Sequence, residues 1–212
     1  MCQFIFSFTV FLQETKTEKI SCPGYTPYPN PARDTHHGQA ILVRHGIEHE
    51  ALDMTEWDME DREVQALRVN VKGKKWVIIN VYIGNDSTTK EEDWKFLSDF
   101  ESLGEAVLIV GDFNARSSMW GNTSENPQGK ALYNALLETD LTLLNTNEMT
   151  RFAQRQSEED SNIDLAMVTA GEEIFTQWSV LPSHGSDHLP CSVLIAKGRT
   201  NIPNSTKKRP FN

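Results

Sequence analysis

The sequence has few cysteines, no surplus of positive charge and no long apolar run, and each shortage excludes a class of protein. The three cysteines, Cys2, Cys22 and Cys191, form no C-x-x-C or Cys/His pattern, so neither a disulfide framework nor a structural zinc is expected. With 20 basic against 30 acidic residues, the formal net charge of −10 argues against the broad basic surface of a nonspecific DNA-binding protein. A nuclease is not excluded, because a metal site concentrates carboxylates and its cation reverses the local field.

The apolar opening from Phe4 to Leu12 is too short to span a bilayer. It has no basic region before it and no small-residue cleavage site after it, so we interpret it as a buried strand and expect no membrane partner. The sequence also lacks G-x-x-x-x-G-K-[ST], G-x-S-x-G and H-E-x-x-H. The sequence therefore lacks the motifs that P-loop, α/β-hydrolase and zincin enzymes need for catalysis.

The length and composition predict one soluble domain followed by a tail. A chain of 212 residues with 38% hydrophobic and 24% charged residues can bury a substantial core. We expect this domain to cover residues 1–196. The remaining residues, 197–212, are polar and carry several Lys and Arg side chains, which predicts a solvated tail or linker.

Apolar runs of strand length recur along the chain and predict a protein rich in β-structure. They lie at 8–12, 40–43, 67–71, 76–82, 106–110, 141–144, 163–168, 175–181 and 191–196. Lys72-Gly73-Lys74-Lys75 predicts a hairpin, so part of the sheet is antiparallel. One helix is predicted between a Thr88/Glu91 capping box and Gly104, and a second after Gly129. Many strands with two surface helices predict an α/β sandwich, sheet packed on sheet with helices outside.

Two tetrads place polar groups at the ends of apolar runs. Gly111-Asp112-Phe113-Asn114 follows a run suited to a buried strand, and Asp112 and Asn114 point the same way if the chain stays extended. A carboxylate and an amide there can orient water or bind a hard cation; an Asx-type turn that only ends the strand is the alternative. In Ser186-Asp187-His188-Leu189, His188 is suited to proton exchange near neutral pH.

Three further side chains are candidates for the same chemistry. Asp164 lies inside an apolar run, where burial requires a partner, and His188 is the economical choice. Glu14, at the end of the first apolar run, is either a ligand for a hard cation or an exposed acid. Tyr82 is either a phenol that contacts phosphate or a core tyrosine.

Two pairs of histidines have metal-ligand spacing but no partner carboxylates nearby in sequence. They are His36-His37 and His45-x-x-x-His49. Both pairs lie beside glycines, so solvated loops explain them better than a metal site.

Taken in order, these motifs resemble the endonuclease/exonuclease/phosphatase superfamily of metal-dependent phosphodiesterases, and most closely the endonuclease domain of non-LTR retrotransposons. The matching segments are Leu12-Gln13-Glu14-Thr15, Gly38-Gln39-Ala40-Ile41-Leu42-Val43, Asn80-Val81-Tyr82, Gly111-Asp112-Phe113-Asn114-Ala115, Trp120-Gly121, Gly129-Lys130-Ala131-Leu132, Thr150-Arg151-Phe152, Ile163-Asp164-Leu165 and Ser186-Asp187-His188-Leu189-Pro190. The resemblance extends from about Phe8 to Ala196. It implies a deoxyribonuclease I-like fold: a four-layer α/β sandwich of two packed mixed β-sheets flanked by helices.

The resemblance also implies a role for each matching residue. Glu14 and Asp187 would hold Mg²⁺, or Mn²⁺ in its place, while Asp112 would orient or deprotonate the attacking water. Asn114 would hold a phosphate oxygen or that water, and Tyr82 would contact the phosphate. His188, supported by Asp164, would stabilise charge on phosphorus or pass a proton. Ser186, Thr150 and Arg151 would bind substrate, with Ser186 and Thr150 alternatively supporting the loop that carries His188.

The implied activity is a nick in target DNA that leaves a 3′-hydroxyl to prime reverse transcription. DNA is then the expected substrate, a reverse transcriptase domain the expected neighbour in a full element, and the protein a nuclear monomer. The alternatives are a phosphatase or phosphodiesterase acting on a small molecule or phospholipid, and a domesticated remnant that does not cut.

The sequence departs from the family in one respect. Family members begin with a strand that carries an Asn, followed by a helix, before the Gln-Glu element; here twelve residues precede Gln13 and none is Asn. We therefore expect the first strand and helix to be absent, which would leave an edge inside the sandwich unpaired. The run from Phe4 to Phe8 is a candidate to substitute for that strand in part.

Overall fold

The computed structural model describes residues 3–195 except 7, 18, 32–36, 72, 86–89, 104–105 and 184. It contains twelve strands and two α-helices in the described residues. The strands are β1 Gln3–Phe6, β2 Thr9–Gln13, β3 Tyr25–Asn30, β4 Gln39–Arg44, β5 His49–Leu52, β6 Arg62–Val71, β7 Lys74–Ile83, β8 Ala106–Asp112, β9 Leu141–Leu143, β10 Asp164–Thr169, β11 Thr176–Val180 and β12 Cys191–Ile195. The helices are α1 Phe96–Glu101 and α2 Pro127–Leu137.

The strands form two six-stranded sheets. Sheet A has the order β11-β12-β1-β2-β4-β3, and sheet B the order β5-β6-β7-β8-β10-β9. Each sheet is mixed, since β1 runs parallel to β12 in sheet A and β7 runs parallel to β8 in sheet B. The predicted hairpin between β6 and β7 is confirmed by their antiparallel register from Arg62–Ile83 to Val71–Lys74.

Strict alternation along the central strands of sheet B divides the apolar core into two layers. Ile78, Leu108 and Ala166 face sheet A, where they pack with Phe11, Ile41 and Val193. Val77, Ile109 and Met167 face the other way and pack against α1 and α2 through Phe100 and Leu132. Because every second residue belongs to a different layer, these strands are apolar throughout. The predicted α/β sandwich is confirmed, with both helices on the outer face of sheet B.

The apolar opening forms two strands rather than the single buried strand that we predicted. β1 and β2 pair antiparallel as a hairpin, with Phe6 opposite Thr9. β1 also pairs with β12, so it occupies the place between β2 and β12 in sheet A. The expected unpaired edge is therefore filled, as proposed for the run from Phe4 to Phe8.

The two helices differ from the predictions at their starts. α1 is preceded by a 3₁₀ turn, Glu91–Trp94, in which the Lys90 amide donates to the Asp93 carboxylate (2.6 Å); Thr88 of the predicted capping box lies outside the described residues. α2 begins two residues before Gly129, because the Asn126 side chain accepts the Gly129 amide (2.8 Å) and Pro127 occupies the first turn. The cap at Asn126 thus places the start of α2 before the predicted position.

Two strands, β3 and β5, were not predicted from the sequence. β3 contains Pro27 and Pro29, which interrupt a strand pattern, and it is tolerated because it lies at the edge of sheet A. β5 is the short edge strand of sheet B and is mostly exposed, so it carries no apolar run. Among the described residues, no helix has the length and apolar character needed to cross a membrane.

Candidate active site

Four polar residues form one row across the end of sheet B. In the strand registers, Glu63 is paired with Tyr82, Tyr82 with Asp112, and Asp112 with Asp164. Their positions alternate in phase with the core residues that face sheet A, so the row lies on the inner face of the sheet. Sheet A supplies Glu14 from the end of β2 and His188 from the segment before β12. The site therefore forms where the two sheets meet.

Gly111 allows β7 and β8 to approach at this row. A Cβ atom at position 111 would lie 1.8 Å from the Val81 carbonyl oxygen, so no other residue fits without a backbone shift. The close approach places Asp112 beside Tyr82. The glycine of the first tetrad is thus required by packing between parallel strands.

The chain does not stay extended after Asp112, so Asp112 and Asn114 do not project together from one strand. Asn114 has a left-handed φ of 47°, and its amide donates to Asp112 Oδ1 (3.0 Å), which is the Asx-type turn considered as the alternative. The Asn114 side-chain Nδ2 donates to the Ile83 carbonyl oxygen (2.9 Å), which fixes the side chain beside the end of β7. The residues that form this turn, Asp112 and Asn114, are therefore also residues of the candidate site.

Asp164 and His188 form the pair that the sequence predicted. His188 Nδ1 lies 3.0 Å from both carboxylate oxygens of Asp164, which is fully buried. His188 Nε2 lies 3.9 Å from Asp112 Oδ2. With one ring nitrogen held by Asp164, the other is aimed at Asp112.

The charges of this group shift its titration. Burial, and then the charge of Asp164, raise the pKa of Asp112, and the nearby His188 offsets only part of the rise. Burial alone would lower the pKa of His188, but the charge and hydrogen bond of Asp164 outweigh it and raise the pKa to about 9. Near neutral pH, His188 is therefore an imidazolium and Asp112 an unusually basic carboxylate.

Glu14 and Tyr82 are also brought together. The Tyr82 hydroxyl donates to Glu14 Oε1 (2.9 Å), and Glu14 itself has a left-handed φ of 52°. Burial, followed by the charges of Glu14 and Asp112, raises the pKa of the Tyr82 phenol well above its ordinary value. Tyr82 is neither a simple core residue nor an anion: it remains a hydrogen-bond donor at the site.

The remaining predicted residues build the loop that carries His188. Arg151 is the centre of this arrangement: its Nε lies 3.2 Å from Asp187 Oδ2 and its guanidinium also reaches Glu158 (3.3 Å). Burial would raise the pKa of Asp187, but the charges of His188 and Arg151 lower it. The Ser186 hydroxyl accepts the His188 amide (3.2 Å). Asp187 is therefore already paired with a cation, unlike Glu14.

Thr150 lies below this loop and is fully buried. Its hydroxyl accepts the amides of Ile163 and Asp164 (both 3.1 Å), and its carbonyl oxygen accepts the Leu189 amide (2.7 Å). These contacts join Thr150 to Asp164 and to the loop that carries His188, as expected of a residue that supports the loop.

The oxygen atoms around Glu14 suit a hard divalent cation. Three buried side-chain oxygens, Gln13 Oε1, Thr15 Oγ1 and Gln39 Oε1, have no hydrogen-bond partner among the described residues. Buried oxygens without partners are rare, and an ion with its hydration shell satisfies such atoms. The rise in the Asp112 pKa, to which Glu14 and Asp164 contribute, also marks an excess of negative charge that a cation would relieve. The donor set is therefore compatible with Mg²⁺.

Asp112, Asp164 and His188 also each have a ligand atom within 4.8 Å of the others, so this group could hold a metal ion as well. Both Asp164 oxygens lie at hydrogen-bonding distance from His188 Nδ1, so a cation here would compete with the contact between the carboxylate and the imidazole.

Two residues near the site were not identified from the sequence. Glu63 belongs to the row beside Tyr82, and only the register of β6 against β7 reveals it. His37 was assigned to a solvated loop, yet its ring centroid lies 5.3 Å from that of Tyr82 and its Nδ1 lies 4.0 Å from Glu14 Oε1. Its place directly before Gly38 in the family-like motif was the available signal.

A family model described as endonuclease-reverse transcriptase matches residues 76–192. The chain is 28% identical over 199 residues to a probable RNA-directed DNA polymerase from transposon BS of Drosophila melanogaster, covering 90% of this chain and 21% of that protein. It is 26% identical over 181 residues to the RNA-directed DNA polymerase from mobile element jockey of the same species, covering 84% of this chain and 19% of that protein. The chain thus spans about a fifth of the length of these curated relatives.

Solved structures share the fold. The endonuclease domain of TRAS1, a telomere-specific non-LTR retrotransposon, matches with a TM-score of 0.65 and 19% identity, over 79% of this chain and 76% of that one. The catalytic domain of Xenopus laevis APE2 matches with a TM-score of 0.61 and 16% identity, over 91% and 86%. At these identities the likeness concerns the arrangement of the sheets, which is the deoxyribonuclease I-like α/β sandwich.

Proposed function

Because the chain belongs to the endonuclease-reverse transcriptase family, by a match over residues 76–192, we propose that it is a DNA endonuclease domain of a non-LTR retrotransposon. Its reaction is the metal-dependent hydrolysis of one phosphodiester bond in duplex DNA. The product is a nick with a 3′-hydroxyl. In a full element, a reverse transcriptase domain would use that hydroxyl as its primer.

The observation that carries this proposal is the array Asp164–His188–Asp112. It presents an imidazolium held by a buried carboxylate 3.9 Å from a second carboxylate of raised pKa. Phosphodiester hydrolysis requires both groups, a base for water and a cation for the charge that develops on phosphorus.

Each residue then has one task in the reaction. Asp112 accepts a proton from the attacking water as its oxygen bonds to phosphorus. His188 donates a hydrogen bond to a phosphoryl oxygen and stabilises its developing charge, while Asp164 keeps the ring oriented. The bond from phosphorus to O3′ breaks, and the leaving oxygen takes a proton from solvent water to become the 3′-hydroxyl. Tyr82, kept protonated by its raised pKa, holds Glu14 and faces the phosphate.

Glu14 would hold Mg²⁺, with Asp187 as a second acid on the metal side once Arg151 yields its contact. The ion would supply Lewis-acid stabilisation of the phosphate charge. Ser186 lies on the loop that carries His188, and Arg151 contacts that loop through Asp187; both are proposed to contact the DNA backbone. Thr150 supports that loop from below.

The proposal is tested by the chemistry of the nick. Purified protein is incubated with supercoiled plasmid and Mg²⁺, and nicked molecules are offered directly to a DNA polymerase. We expect extension without prior phosphatase treatment, because cleavage leaves a free 3′-hydroxyl. Nicks that become extendable only after phosphatase treatment would contradict the proposed bond cleavage. Release of phosphate from inositol phosphates without any nicking would favour a small-molecule phosphatase instead.

A further inference from the structure

Glu63 is a buried carboxylate that the reaction described above does not use. Only 2% of its surface is exposed, and it lies on β6 directly beside Tyr82 in the row that continues to Asp112. A carboxylate is costly to bury unless its oxygens are fully engaged. Its position at the active end of sheet B makes its partners informative.

The partners of Glu63 are backbone amides of sheet A. The His37 amide donates to Oε1 (2.6 Å) and the Gly38 amide donates to Oε2 (3.0 Å). The Gln39 side chain donates to the Glu63 carbonyl oxygen (2.9 Å), so three consecutive residues are tied to one. Glu63 therefore fastens the start of β4 to sheet B.

The fastened segment in turn holds Glu14. Gln13 pairs with Gln39, and the amides of Thr15 and Lys16 donate to the carbonyl oxygens of Gly38 (3.0 Å) and His37 (3.1 Å). Glu14 lies between these two attachments with a left-handed φ, a conformation that a side-chain-bearing residue adopts only when its surroundings impose it. The same segment places the His37 ring against Tyr82.

We propose that Glu63 is a positioning residue for the metal side of the site. Its carboxylate holds the His37–Gly38 segment, and that segment fixes Glu14 where it meets the Tyr82 hydroxyl. The inference rests on the proposed function for the role of Glu14, but the clamp itself is a property of the fold. A carboxylate is required because both partners are donors, and an amide offers one acceptor oxygen only.

The variant that isolates the clamp is Glu63→Gln. It is nearly isosteric, but its NH₂ group must face either the His37 or the Gly38 amide, which breaks one bond. Glu60→Gln is the matched control, because Glu60 is exposed, lines the same cleft beside Tyr82 and makes no such bonds. It removes the same charge without touching the segment.

Two measurements distinguish positioning from bulk stability. Hydrogen exchange should accelerate about tenfold or more at the amides of residues 37–38 and 15–16 in Glu63→Gln, and not in Glu60→Gln. The dissociation constant for Mn²⁺, measured by its electron paramagnetic resonance, should rise about tenfold, a factor equivalent to about 1.4 kcal/mol. Plasmid nicking should fall in Glu63→Gln and recover at high Mg²⁺, with KM for DNA unchanged.

Unchanged exchange in these segments, or an unchanged Mn²⁺ affinity alongside altered exchange, would overturn the inference. If Glu63→Gln does not fold, Glu63→Asp carries the test, because it keeps the charge and withdraws the oxygens by one methylene; the same two changes are expected. A wild-type protein that binds Mn²⁺ but never nicks DNA would refute the proposed function alone. Hydrogen exchange at residues 37–38 and 15–16 would still show whether Glu63 holds the His37–Gly38 segment.

Discussion

At the residue scale, two carboxylates of the site, Asp112 and Asp164, lie in different environments. Asp112 and Asp164 are neighbours in register and both are buried, but Asp164 lies 3.0 Å from His188 Nδ1, whereas Asp112 accepts the Asn114 amide and lies 3.9 Å from His188 Nε2. In the proposed reaction, that difference separates a supporting carboxylate from a reactive one. The side-chain amide of Asn114, held by the Ile83 carbonyl oxygen, and the phenol of Tyr82, held by Glu14, complete the group.

The paired environments predict a bell-shaped dependence of the nicking rate on pH. Asp112 must be ionised, so the acid limb lies above the ordinary pKa of an aspartate. His188 must be protonated, so activity falls as pH rises through the raised pKa of about 9.

Asp164→Asn tests whether the charge of Asp164 sets both limbs of this pH dependence. Removing its charge lowers the pKa of both His188 and Asp112, so both limbs should move to lower pH. The rate at the optimum should fall about 100-fold or more, because the imidazolium is no longer stabilised. Glu158→Gln, which removes a half-buried acid paired with Arg151, should leave both limbs in place. An alkaline limb that stays fixed in Asp164→Asn would contradict the assignment.

Sequence reasoning found most of this site because its residues occur at strand ends within recognisable motifs. Asp112, Asp164, His188 and Tyr82 each follow or interrupt an apolar run, which is visible in one dimension. Glu63 was missed because only its pairing with Tyr82 places it at the site. The register between two strands cannot be inferred from the sequence of one strand. An Asx-type turn at Asp112–Asn114 was one of two interpretations left open, since an Asx turn and a site carboxylate share the same residues; Asn114 forms that turn with a left-handed φ.

At the element scale, the approach of β7 and β8 is what assembles the row. The two strands run parallel in register from Trp76–Ala106 to Tyr82–Asp112. Parallel strands that carry their functional groups at the same end bring them together without long loops. Gly111 is the point where this approach is tightest.

Gly111→Ala should therefore damage both stability and activity. The added methyl group would meet the Val81 carbonyl oxygen, and relieving that clash should lower the free energy of unfolding by about 2 kcal/mol or more. Displacement of Asp112 should reduce nicking further than the loss of folded protein explains. Thermal unfolding should show a decrease of about 5 °C or more.

Gly84→Ala is the matched control for that experiment. Gly84 follows the end of β7, and the nearest atom to an added Cβ is the Asp61 carbonyl oxygen at 3.9 Å, an ordinary contact. This variant should unfold at nearly the wild-type temperature. Equal unfolding temperatures and rates for Gly111→Ala and wild type would show that the strand approach is not critical.

The elements that the sequence predicted best were the central strands, whose apolar runs are set by burial on two faces. Two of the four edge strands were missed: β3 carries two prolines and β5 lacks an apolar run, so neither has a local signal. The hairpin of β1 and β2 was interpreted as one strand, because the sequence between Phe6 and Thr9 contains no glycine or proline.

At the scale of the whole molecule, the site exists only because two sheets pack face to face. Sheet B supplies Glu63, Tyr82, Asp112 and Asp164, and sheet A supplies Glu14 and His188. The net charge is −10, so in the proposed reaction a divalent cation and His188 would carry much of the attraction for phosphate at the site.

The most direct test of this account is the initial rate of Mg²⁺-dependent nicking of supercoiled plasmid by wild type and by Asp112→Ala, prepared in parallel. We predict conversion to open circles by wild type that chelation of Mg²⁺ abolishes. Asp112→Ala should be slower by about 100-fold or more, because the base for the attacking water is gone. Equal rates for the two proteins, or no nicking by folded wild type at high concentration, would contradict the central claim.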